Sequence, residues 1–99
     1  MSSDLKPRSY DGVIIYQTGE GTVASGRSFV AEEFKNNEIQ VAGDNDMGER
    51  NLAYQIKKND RGHYVRYELV ALPEKLQQLD KSFRLKSEIL KFVFFRTDN

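Results

Sequence analysis

The chain has 99 residues, enough for one domain with a modest core, and 38% of them are apolar against 30% charged. Fifteen cations balance fifteen anions, and with no cysteine and a single histidine, His63, disulfide frameworks, thiolate metal sites and multi-histidine clusters are excluded. The longest apolar runs, such as 92–95, are too short to span a bilayer, and residues 1–7 contain no apolar signal core, so a cytosolic protein is expected.

Residues 1–9 read as a flexible polar tail, and 10–99 as a single domain. The run Val13-Ile14-Ile15-Tyr16 is β-branched and aromatic and predicts a strand over 10–16. Gln17 to Gly21 breaks it. Val23, Arg27, Val30 and Phe34 then recur at helical spacing, although Gly26 inside this helix costs about 1 kcal/mol relative to alanine. Asn36-Asn37 predicts the stop. A second strand starts over 38–41, is interrupted at Gly43-Asp44-Asn45-Asp46, and resumes as alternation: Leu52, Tyr54 and Ile56 on one face, Asn51, Ala53, Gln55 and Lys57 on the other.

Asn59-Asp60-Arg61-Gly62 predicts the hairpin turn, and a third strand runs over 63–71. Its His63, Val65, Tyr67, Leu69 and Ala71 share one face; Tyr64, Arg66, Glu68 and Val70 share the other. Pro73 sits at a first helical position, and Leu72, Leu76, Leu79 and Phe83 recur around and after it at amphipathic spacing. The last strand, 88–96, is apolar on both faces. This β-α-β-β-α-β order predicts an α+β, ferredoxin-like sandwich: a four-stranded antiparallel sheet with both helices on one face. Apolar residues on both sides of the last strand fit either ordinary exposed aromatics or an open face covered by a partner.

Charge is uneven along the chain. Residues 1–45 carry four cations and seven anions, residues 46–99 eleven and eight. A tight turn would project Lys57, Lys58 and Arg61 into solvent together, which suits a phosphate backbone; the same lysines would also blunt a sheet edge against unwanted pairing. Arg61-Gly62-His63-Tyr64-Val65-Arg66-Tyr67 approaches the third-strand motif of RNA-recognition domains but is one residue short, and a one-residue slip turns the aromatics to the other face. A free single-stranded RNA-binding domain of that type is therefore the alternative function. The glycines at 19, 21 and 26 around Arg27 loosely suggest the phosphate loop of acylphosphatases, a lesser alternative because the loop pattern is wrong. His63 has no acidic or nucleophilic companion in sequence and suits half-buried packing.

One block carries a family resemblance. Gly48-x-Arg50-x-Leu52-Ala53-Tyr54-x-Ile56-Lys57-Lys58, followed after a turn by Gly62-His63-Tyr64, resembles the signature of the bacterial small-subunit ribosomal protein S-six family. Leu85-Lys86 and Ile89-Leu90-Lys91-Phe92 with Arg96 resemble that family's closing strand, and Pro73-Glu74-x-Leu76-x-x-Leu79 its second helix. The likeness spans 10–96. Gln55 stands where the family often has proline, and Glu49 and Asn51 where further cations are common.

The resemblance implies a structural component of the small ribosomal subunit, in the cytoplasm. It would bind the central domain of small-subunit rRNA together with ribosomal protein S-eighteen, with no catalysis, cofactor, metal, membrane or small-molecule substrate. Mapped by position, Arg50, Lys57, Lys58, Arg61, Lys86 and Arg96 are the candidates for rRNA contact, with Tyr10 and Tyr54 behind them. A basic partner supplying much of the phosphate neutralisation would account for the zero net charge.

Overall fold

In a computed structural model, residues 6–97 are described. The elements follow the expected order: β1 (Arg8–Tyr16), α1 (Thr22–Asn36), β2 (Gln40–Ile56), β3 (Asn59–Ala71), α2 (Pro73–Leu85) and β4 (Ile89–Arg96). All strand pairings are antiparallel and the sheet order is β2-β3-β1-β4, the ferredoxin-like arrangement. β1 begins at Arg8, so residues 8 and 9 of the expected tail are strand, while residues 1–5 lie outside the described residues.

Alternation places Tyr10, Ile14 and Tyr16 of β1 with Val65, Tyr67, Leu69 and Ala71 of β3 against the helices. Val30 and Phe34 of α1, and Leu76, Leu79 and Phe83 of α2, close the core from above. Phe83 is its hub. Its ring lies 5.3 Å from Phe92, 6.1 Å from Phe29, 6.2 Å from Phe34 and 6.4 Å from Phe94, centroid to centroid, within the range where tilted and edge-on aromatic pairs attract. Phe92 and Phe94 of β4 therefore point to the helices, while Val93 and Phe95 stand exposed on the open face.

The predicted β2 needs two corrections. It is one long strand, not two, because Gly43 to Asp46 stays paired with β3 through register shifts at Val41/Gly43 and Asp46/Gly48. The strict alternation over 51–57 also fails. Pairing stops at Asn51↔Arg61 and resumes at Ile56↔Asn59, so Leu52, Ala53, Tyr54 and Gln55 oppose Asp60 alone. Four residues against one form a large irregular bulge, which bends a strand out of its ladder.

The turn moves as well. It is Lys57-Lys58, not Asn59 to Gly62: both lysines have positive φ, 50° and 66°, as a two-residue hairpin turn of the mirror-image type requires. Asn59 supports it from the third strand, its Nδ2 donating to the carbonyl of Lys57 at 2.9 Å and more weakly to that of Ile56 at 3.4 Å.

Two glycines have packing reasons. A Cβ on buried Gly62 would collide with Ile15, so this residue is required for close strand packing and not for a turn. A Cβ on Gly26 would lie 2.6 Å from Cδ1 of Tyr16, which is fully buried and fixed by a 2.7 Å hydrogen bond to the hydroxyl of Tyr67. Gly26→Ala should gain roughly 1 kcal/mol of helix propensity and lose about 1–3 kcal/mol to overpacking. Because Tyr16 cannot swing aside, the variant should unfold at lower urea than the parent chain; an equal or higher midpoint would show that α1 can shift to make room.

Candidate nucleic-acid interface

The bulge and turn carry the hairpin tip sideways to the start of β4. Lys57 Nζ donates to the backbone carbonyl of Ile89 at 3.0 Å, and Lys91 Nζ donates to the Tyr54 hydroxyl at 3.2 Å while lying 5.8 Å from that ring's centroid. Ile89 pairs with Tyr16 at the end of β1, so turn, bulge and β4 start meet at one end of the sheet. Tyr54 is 62% exposed there.

The other candidates separate. Lys58 extends from the turn, exposed. Arg61 alternates away from it, donating from Nε to Glu49 at 2.6 Å and from an Nη to Asn51 at 2.7 Å. The turn therefore does not project Lys57, Lys58 and Arg61 together into solvent: two of the three are engaged within the protein. Arg50 is exposed on β2 and donates to the carbonyl of Met47 at 3.4 Å. Lys86 lies just beyond α2, at the same end as the turn, with Nζ 4.7 Å from the Phe29 centroid and 3.9 Å from Glu88. Arg96 pairs with Tyr10 at the opposite end of β1, about 20 Å away at the rise of an extended strand. Tyr10 packs on the core beside Pro73 and Leu76.

Sequence reading missed Lys91 and Arg84. Both come to the same end of the sheet as Lys57 only through non-local packing, Arg84 in the last turn of α2 over Phe92 on the helix side and Lys91 on β4 with its amine at Tyr54 on the open face. A basic residue in that turn also meets the negative end of the helix. Arg84 Nε donates to Asp80 at 2.8 Å, one helical turn earlier.

The alternatives lose their geometry. Tyr64 is half-buried and borders the same hollow as Ile15, Leu52 and Tyr54, which is not a flat stacking platform. Arg27 donates to Asp46 at 3.2 Å and to Asp44 at 3.3 Å, so its charge is already matched by two carboxylates rather than offered to a phosphate. Asp46 also meets His63 Nε2 at 2.7 Å, giving that histidine the acidic companion absent from its local sequence. Buried beneath this network, Tyr16 and Tyr67 are both pushed above the ordinary phenol pKa, chiefly by desolvation.

The sequence model for the family described as Ribosomal protein S6 matches residues 9–96. The chain belongs to the ribosomal protein S6 family. It is similar to small ribosomal subunit protein bS6 of Treponema pallidum strain Nichols, 30% identical over 92 residues that cover 93% of this chain and 99% of the relative. The bS6 of Helicobacter hepaticus is 43% identical over 54 residues, 54% of this chain and 39% of that protein. Among solved structures, the 30S ribosomal protein S6 of Thermotoga maritima superposes with a TM-score of 0.82 at 25% identity, covering 93% of this chain and 89% of that one. The C-terminal domain of MgtC from Mycobacterium tuberculosis shares the fold, with a TM-score of 0.62 at 16% identity. Members of the S6 family are structural proteins of the ribosome, not enzymes, which removes the acylphosphatase alternative.

Asp46 is the joint of the Arg27-His63 network, and its carboxyl is held below the ordinary value by the backbone N–H of Gly48 first, then by His63 and Arg27. A folded-state pKa below the unfolded one contributes stability above the unfolded value, lost as pH falls through the folded value. Asp46→Asn should therefore be less stable than the parent at pH 6, and the gap should close toward about pH 3, below the usual carboxylate range. Urea midpoints across that range check this; a gap that stays constant with pH would remove Asp46 from the charge network.

Proposed function

We propose that this S6-family chain is a structural component of the small ribosomal subunit that binds the central domain of small-subunit rRNA jointly with ribosomal protein S-eighteen. The observation that carries the reading is the division of one sheet into two surfaces. Its turn end gathers Lys57, Lys58 and Lys91 with the exposed ring of Tyr54, the mixture of cation and aromatic that rests on phosphates and sugars. Its open face carries exposed Val93 and Phe95 on β4, 38% and 54% accessible, beside Val13 of β1. Exposed apolar side chains clustered on a sheet mark a surface for another protein. The two surfaces adjoin along β4, so one partner can cover the apolar face and extend the cationic end.

The net charge supports the same division. Much of the positive charge is matched internally, by Asp44 and Asp46 on Arg27, Glu49 on Arg61, Asp11 on Arg66 and Asp80 on Arg84. What remains is too little for tight binding alone, since affinity for nucleic acid follows the number of phosphates neutralised. A basic partner would provide the remainder.

Titration of a central-domain rRNA fragment at fixed salt, with and without the partner, tests the proposal. Affinity should rise at least about tenfold with the partner, equivalent to about 1.4 kcal/mol. Equally tight binding in both titrations would overturn the joint mechanism, and no binding in either would overturn the rRNA assignment.

A further inference from the structure

The surplus backbone of the bulge folds onto the open face of the sheet and walls a hollow of about 180 Å³ there. The floor is a row across three strands. Ile15 of β1 pairs with Tyr64 of β3 on one side and with Lys91 of β4 on the other, so the three side chains stand abreast on that face. Leu52, Ala53, Tyr54 and Ile56 of β2 form the wall. A Cβ on Gly62 would press on both Ile15 and Leu52, so the missing side chain at Gly62 lets the wall approach the floor. Ile15 is accordingly only 8% exposed, although it belongs to the face without helices.

The lining selects its occupant by chemistry. Ile15, Leu52, Ala53 and Ile56 are apolar, Tyr54 and Tyr64 contribute rings, and Lys91 brings the one charge; no carboxylate or amide side chain is present. Lys91 gives one of its three N–H groups to the Tyr54 hydroxyl at 3.2 Å and keeps two. That hydroxyl accepts from Lys91, so its own proton is free to be donated. A cationic side chain in the hollow would meet Lys91 with no carboxylate between them. An aliphatic one would strip water from the ammonium and return no hydrogen bond, and a phosphate would set its charge against an apolar floor; both are costly. A flat ring with apolar faces and carbonyl oxygens at its edge satisfies every group together. Among the bases of RNA, uracil fits best: it is a single ring, it carries two carbonyls, and it has no exocyclic amine to oppose the donors. The volume agrees, since sites for drug-sized molecules begin at roughly 300 Å³.

We propose that this hollow takes one unstacked uracil of the bound RNA, its face on the Tyr54 ring and a carbonyl oxygen on the Lys91 ammonium. The proposal rests on the rRNA reading and deepens it, because phosphate contacts hold any sequence while a base pocket selects one. A stacking platform lays successive bases across open strands; here the bulge leaves room for a single ring.

Methyl NMR on the full chain, read at Ile15 and Leu52, tests it. A uridine tetranucleotide should shift both methyl signals and show cross-relaxation from them to the uracil ring protons, and an adenosine tetranucleotide at the same concentration should not. Equal shifts from both, or none from the uridine chain, would overturn the uracil pocket. Tyr54 is 62% exposed, so its variants leave the core alone. Tyr54→Leu should weaken uridine binding about fivefold or more, while Tyr54→Phe, which keeps the ring, retains most of it. Undiminished affinity in Tyr54→Leu would count against the proposal. The same methyls are then followed as the partner protein and the central-domain rRNA fragment are added in turn. A shift with the partner alone would mean that a protein side chain fills the hollow, and would overturn the base assignment. Binding of the rRNA fragment with both methyls unmoved would remove the pocket and leave the rRNA reading intact. Uridine contacts without any rRNA complex would keep the pocket and remove the ribosomal reading.

Discussion

The mismatch in length between β2 and β3 governs the turn end of the sheet. Leu52 to Gln55 have only Asp60 opposite them, so the surplus backbone must leave the ladder. It arcs toward β4, and the turn goes with it. Had the two strands matched, the hairpin would have continued along the sheet axis, and Lys57 could not reach the carbonyl of Ile89, nor Tyr54 the amine of Lys91. The arrangement is not free. Two consecutive lysines occupy the left-handed region, which costs roughly 1–2 kcal/mol each for a side chain with a Cβ. The two bonds from Asn59 and the bond from Lys57 to Ile89 offset that cost at about 0.5–1.5 kcal/mol each.

This geometry needs a stiff support, which the core supplies. Phe83 touches rings from α1 and β4, and the buried hydroxyls of Tyr16 and Tyr67 share a hydrogen bond. An unpaired buried hydroxyl would cost about 1–3 kcal/mol, so the pair fixes the register of β1 against β3 as well as stabilising it. Above the pair, Arg27 ties α1 to Asp44 and Asp46 of β2. Surface ion pairs of this kind add little free energy singly. Their structural effect is to hold the long second strand against the helix over the stretch where its register with β3 shifts.

Most of the fold was legible because its signals are local and mutually consistent. Alternation in β3, the Leu76-Leu79-Phe83 spacing, Pro73 at the helix start and the β-branched run of β1 each read correctly alone. The hairpin misled because its glycine lies in the wrong place for a turn: Gly62 is small to admit Ile15, and the true turn carries no glycine at all. Gly26 looked like a weak point in a helix for the same reason, since the ring that excludes a side chain there comes from another element. The site was the least legible part. Lys57 could be nominated from its neighbours in sequence. Its neighbours in space, Arg84 on the helix side and Lys91 with Tyr54 on the open face, lie 27 and 34 residues further along and come near it only after the bulge bends the turn toward β4.

The central claim is that backbone geometry, not the number of cations, makes the nucleic-acid surface. Deleting Leu52, Ala53 and Gln55 tests it most directly, because none of the three is charged and Tyr54 would remain as the single residue opposite Asp60. The hairpin would become regular and every lysine and arginine would be retained. With the fold intact by circular dichroism, the account predicts that affinity for the rRNA fragment in the presence of the partner falls about tenfold or more, a loss of about 1.4 kcal/mol. Affinity within twofold of the parent chain would contradict it.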